Sequence, residues 1–107
     1  MGFRMNIQLR DLDLDLLSDA FRRFSFVKAV SVFGSRAVGG ARRDSDLDLA
    51  VDASTASATE WGNLCEALEE VPVVYEMDVI RMDEEVADSL RSKINLQGRV
   101  IYTKFRS

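Results

Sequence analysis

The sequence predicts an α/β (α+β) domain: a small mixed β-sheet with helices packed against it. Two observations carry this reading. Three segments place apolar residues at helical steps, and four others are short runs rich in β-branched and aromatic residues that alternate with them along the chain. Leu14, Leu17, Phe21 and Phe24 define a helix from about Asp13 to Phe24, with Arg22 and Arg23 outside. Val27–Phe33 (VKAVSVF) stops at Gly34 and makes the first strand, and Ser35 to Ser45 is a polar, glycine-bearing connection. Asp46–Asp52 (DLDLAVD) alternates with period two, the mark of a second strand. Ser57 and Glu60 fit a capping box, and the helix they open carries Trp61, Leu64, Cys65 and Leu68 on one face and ends before Pro72. Val73–Ile80 is the third strand. A helix from about Asp83 to Leu96 buries Val86, Leu90 and Ile94 and is capped by Gly98, and Val100–Tyr102 closes a fourth strand with Tyr102 over the core. The order is α-β-β-α-β-α-β.

At 107 residues, 47% of them hydrophobic, one domain over residues 1–107 is expected. With no histidine there is no imidazole base and no Ser-His-Asp triad, and a single cysteine makes neither an internal disulfide nor a zinc cluster. Carboxylates and hydroxyls remain. A net charge of -4 disfavours a protein that coats nucleic acid, whose backbone demands a broad positive field. No apolar run approaches the roughly 20 residues that span a bilayer. Asp11, Asp13 and Asp15 stand where a signal peptide would be apolar, so a cytoplasmic protein is expected.

The chemistry concentrates between Val32 and Val51, VFGSRAVGGARRDSDLDLAV. Gly34 and Ser35 follow directly on a strand, where a glycine lets the backbone approach a bound group and N–H groups with a hydroxyl suit phosphate. Arg36 is placed to meet phosphate too; for Arg42 and Arg43 a solvated loop is an equal account. Asp46 and Asp48, two apart on a strand, leave the same face about 7 Å apart, with Leu47 and Leu49 in the core. Oxygen-only ligands of this kind favour Mg²⁺ or Mn²⁺ over zinc. Taken alone, alternating Asp and Leu marks an ordinary half-exposed strand or helix start, and Asp11-Leu-Asp-Leu-Asp15 is an internal control whose acids read as capping and solvated charges. The pairing with Gly34-Ser35 across a ten-residue spacer turns the balance towards a site. Asp78, an acid inside an apolar strand, completes a three-carboxylate cluster if its strand lies beside Asp46–Asp52, with Glu76 as a competitor on the same face and a partly exposed edge position as the plainer account. Cys65, Trp61 and the four methionines read as packing residues.

Phe33-Gly-Ser-Arg-Ala37, then Ser45-Asp-Leu-Asp-Leu49, then Asp78 resembles the signature of the DNA polymerase β-type nucleotidyltransferase superfamily. More narrowly, the chain is similar to the minimal nucleotidyltransferases, the short MNT proteins paired with HEPN-domain partners, and Ile94, Gly98 and Ile101-Tyr102 match their C-terminal pattern. The resemblance implies the polymerase β-type fold, Gly34, Ser35 and Arg36 as nucleotide-binding residues, Asp46, Asp48 and Asp78 as catalytic metal ligands, and Mg²⁺ (or Mn²⁺) as cofactor. It further implies an antitoxin that transfers AMP from ATP, or another nucleoside monophosphate from its NTP, to a hydroxyl such as a tyrosine of a HEPN toxin. The competing reading is a non-catalytic antitoxin that neutralises its partner by complex formation. Self-association also suits a domain this small. Two positions depart from the family: Val38 stands where a basic residue is common, and Gln97 where a Glu often precedes the last glycine. Gln97 is far from the acids in sequence and is expected to matter little to them.

Overall fold

The computed structural model describes residues 7–83 and 85–104. Its elements run α1 (Asp11–Arg22), β1 (Ala29–Phe33), α2 (Ser35–Val38), β2 (Leu47–Asp52), α3 (Ala58–Glu69), β3 (Met77–Arg81), α4 (Asp88–Gln97) and β4 (Arg99–Thr103). The strands form one mixed sheet in the order β3-β2-β1-β4. β1 pairs antiparallel with β2 and β4, while β2 pairs parallel with β3. A parallel pair needs a long crossover, and α3 supplies it.

Alternation along the strands gives the sheet two different faces. Val30, Val32, Leu47, Leu49 and Val51 are fully buried against Leu17 and Phe21 of α1 and Leu64 and Leu68 of α3. Each large apolar side chain so buried stabilises the fold by about 1.5–3 kcal/mol. The opposite face has a thinner core, in which Phe33 and Ala50 meet Ile94 of α4, with Leu90, Ile80 and Met82 packed around them. Ser57 Oγ accepts the Glu60 N–H at 3.0 Å and Glu60 Oε1 accepts the Ser57 N–H at 2.8 Å, so α3 opens on the expected capping box.

Several expectations are corrected. The connection after β1 is not all loop, since Ser35–Val38 makes a helical turn. The third strand begins at Met77, not Val73, because its one neighbour, β2, first offers a partner at Leu47↔Met77. The last helix begins at Asp88, not Asp83: Asp83 Oδ1 accepts the Glu85 N–H at 2.9 Å in a separate turn, which leaves Val86 half-buried ahead of the helix, while Glu84 lies outside the described residues. Gly98 does cap that helix, in an extended conformation (φ -61°, ψ 139°); glycine is needed there because a Cβ would stand 2.6 Å from the Ile94 carbonyl oxygen. Asp13, expected among solvated charges, is fully buried. Its carboxylate accepts the Arg10 backbone N–H at 3.2 Å, the Arg10 guanidinium at 2.8 and 3.1 Å, and the Tyr75 hydroxyl at 2.8 Å, so its capping role stands and its solvation does not. Among the described residues, no helix is long and apolar enough to cross a membrane.

Candidate active site

The site is assembled on the α4 face of the sheet, where β1 ends and β2 and β3 begin. Gly34 leaves β1 at φ 76°, ψ -158°, a backbone that L side chains resist. The Asp48 carboxylate fills the space beside it: a Cβ on Gly34 would overlap Asp48 Oδ2. The parallel register then sets Asp48 opposite Asp78, on strands about 4.8 Å apart. Asp46 precedes β2 by one residue and adds a third negative charge. Burial, and after it the charges of Asp78 and Asp46, push the Asp48 carboxyl above its usual pKa, and Lys93 of α4 works in the other direction. Asp46 and Asp78 are exposed, and Asp48 is half-buried.

Glu76 separates from Asp78. It lies before β3, its carbonyl accepts the Leu47 N–H at 2.8 Å, and it borders a cavity of about 500 Å³ between α3 and the lead-in to β3, together with Cys65, Tyr75 and Val79. Burial, with Glu69 nearby, pushes the Cys65 thiol up, which suits packing better than nucleophilic chemistry.

Ser35 is the half-buried first residue of α2, where helix geometry leaves backbone N–H groups without an internal acceptor. Arg36, expected to meet phosphate, is engaged elsewhere. It is 5% exposed, and its guanidinium donates to the backbone carbonyls of Gln8, Arg42, Arg43 and Ser45 at 3.0–3.4 Å while lying 4.1 Å over the Tyr75 ring. It therefore holds the loop that delivers Asp46. The Arg42 and Arg43 side chains are exposed.

Near the acids, one residue escaped the sequence reading and another was set aside by it. Gln97 Oε1 accepts the Gly34 N–H at 3.1 Å across 63 residues of chain, so the expectation that Gln97 lies apart from the site is corrected. Lys93 stands one helical turn before it, the cation whose charge bears on Asp48. The signal for Gln97 was its place in the family pattern; separation in sequence hid it, because β4 returns α4 to the middle of the sheet.

A hard divalent cation fits this donor set. The ligands are carboxylate oxygens on neighbouring strands, and the absent Gly34 side chain leaves room for Asp48. Among the described residues, no three acidic groups converge tightly enough to enclose a metal unaided. Mg²⁺ in general completes its shell with water and substrate phosphates rather than an all-protein cage.

A glycine-serine turn after β1 thus lies beside acids carried by the two neighbouring strands of a mixed sheet. The chain belongs to the family described as Polymerase beta, Nucleotidyltransferase, which matches residues 15–107. A solved structure assigned as a minimal nucleotidyltransferase is 31% identical with a TM-score of 0.62, covering 92% of this chain and 98% of that one. The fold is shared with a toxin-antitoxin structure containing AMP-PNP (20% identity, TM-score 0.68, 87% of this chain and 75% of that one). It is shared too with a chain of the structure of the tri-AMPylated Shewanella oneidensis HEPN toxin in complex with MNT antitoxin (19% identity, TM-score 0.59, 89% of this chain and 73% of that one). Among curated proteins nothing matches this chain.

Proposed function

We propose that this chain transfers AMP from ATP to a hydroxyl of a HEPN-type partner protein, most simply a tyrosine, and so acts as an antitoxin in the cytoplasm. The observation that carries the reading is the Asp48–Asp78 pairing beside the Gly34 turn. Asp46, Asp48 and Asp78 would hold divalent metal, Mg²⁺ or Mn²⁺, which when bound neutralises phosphate charge and lowers the pKa of the attacking hydroxyl. The acceptor oxygen attacks the α-phosphorus in line, the bond from that phosphorus to the β-bridging oxygen breaks, and pyrophosphate leaves. Asp78, exposed at the sheet edge, is the carboxylate best situated to take the hydroxyl proton. Ser35 and the start of α2 orient the phosphates. Positioning and charge carry such a reaction, so the lack of histidine is no obstacle. The likeness to the HEPN–MNT complexes supports the choice of partner.

The test incubates the purified chain with a HEPN-type protein, Mg²⁺ and labelled ATP and weighs the partner by mass spectrometry. The expected result is a covalent gain of AMP that Asp46→Asn, Asp48→Asn abolishes, at least a thousandfold in rate. Stable complex formation with no gain in mass would instead favour neutralisation by binding, and label in the low-mass fraction a small-molecule acceptor.

A further inference from the structure

We propose that α4 forms the anion-binding wall of this site: the side-chain amide of Gln97 and the ammonium of Lys93 take the polyphosphate of a nucleoside triphosphate, opposite the carboxylates. The inference rests on the transfer reading and names the residues that would recognise its substrate. The bond from the Gly34 N–H to Gln97 Oε1 has two consequences. It occupies the backbone donor that the glycine turn would otherwise offer to phosphate. It also orients the amide, because an oxygen bound to Gly34 leaves the Nε2 group, with two N–H donors, on the outward side. The donor lost from the backbone is thus replaced by a side-chain donor.

Lys93 stands on the same face of α4, four residues earlier, and is exposed. Ile94, buried on Phe33 and Ala50, fixes the rotation of the helix over the ends of β1 and β2. Three acids with no facing cation would repel a triphosphate, and Lys93 is a positive group on the overlying helix whose charge reaches Asp48. A glutamate at residue 97, frequent in the family, would keep the Gly34 bond but turn a carboxylate oxygen outward in place of Nε2, so this chain differs from such members in offering an anion a donor there.

The test separates the two ligands of the site. Calorimetric titration of the full chain with α,β-methylene-ATP at saturating Mn²⁺ reports the nucleotide, and paramagnetic resonance with Mn²⁺ alone reports the metal. Lys93→Ala and Gln97→Glu are each expected to weaken nucleotide binding about tenfold, the effect of one charge-assisted contact, while tightening Mn²⁺ alone a few-fold, since one removes a cation beside the acids and the other adds an anion. Lys93→Arg should retain nucleotide binding. Unchanged nucleotide affinity in both variants overturns the wall and leaves the transfer reading standing. Parallel loss of nucleotide and Mn²⁺ in Lys93→Ala assigns Lys93 a structural role and likewise overturns it, so the proposal stays decidable even if Gln97→Glu fails to fold. A wild-type chain that binds Mn²⁺ but no nucleotide defeats the transfer reading itself.

Discussion

Two aspartates with the same Leu-flanked spelling have opposite energetics. Asp13 is held by its neighbours: the Arg10 guanidinium first, then the Tyr75 hydroxyl and the Arg10 backbone N–H, keep its carboxyl below the usual range although burial opposes them. A depressed folded pKa means that the stabilisation is complete above the unfolded value of about 3.9 and is lost as pH falls through the lower folded value. Asp13→Asn should therefore cost about 2 kcal/mol near neutrality, with a gap to wild type that stays constant down to about pH 5 and narrows below about pH 4. Urea unfolding across that range checks it, and a gap that widens with acid contradicts it. Asp48 has acids for neighbours and sits in a half-buried place, so its charge works against the fold. Asp48→Asn should raise the melting temperature by about 3 °C, the equivalent of roughly half a kcal/mol in a domain this size, while removing transfer. The motif around Asp46 and Asp48 was legible from its spacing to Gly34. The burial of Asp13 was not, because its partner Tyr75 lies 62 residues away and only the tertiary fold brings the two together.

Periodicity located the elements well where they carry a wide apolar face and badly where a neighbour decides. Leu14, Leu17 and Phe21 marked α1, and Leu64 and Leu68 marked α3, because their helices bury these side chains against the sheet. Residues 73–75 alternate like a strand yet lie ahead of the β2–β3 pairing, and Tyr75 turns in to Asp13 and Arg36 instead. Arg36 shows the same limit from the other side. Adjacent to Gly34-Ser35, it reads as a phosphate contact, but the loop ahead of β2 folds back and offers it carbonyls. A planar fork that reaches four carbonyls has no substitute in a single ammonium. Arg36→Lys is therefore expected to destabilise the domain by about 2 kcal/mol and to loosen the segment before Asp46. Hydrogen exchange should rise at Ala41, Arg42 and Ser45, whose amides now donate to Gln8, Ser45 Oγ and the Arg42 carbonyl. Exchange as slow as in wild type would show that the loop is held by other means.

At the scale of the molecule, the sheet divides the work. One face carries the thick core under α1 and α3; the other bears the thin core under α4, with the acids at its margin. Composition and alternation were enough to read a mixed sheet covered by helices, and the order β3-β2-β1-β4 then brings the three acids to one end. What the sequence left out was the return of α4 over β1, a long-range arrangement set by the β1–β4 pairing and the seating of Ile94. Among the described residues, cavities of about 500 Å³ between α1 and β4 and between α3 and the β3 lead-in lie away from Asp46, Asp48 and Asp78. Asp46 and Asp78 are exposed, and Asp78 lies on the edge strand β3, so solvent reaches both carboxylates.

The division between the faces also bears on descent. The carboxylates of Asp46, Asp48 and Asp78 stand outside the hydrophobic core, and the side chains that build that core lie mainly on the other side of the sheet. A lineage released from any chemistry at this site would be free to shed its acids without losing a core contact. Its shape would then outlast its chemistry, and a relative with this outline but without the three carboxylates would be a natural product of drift.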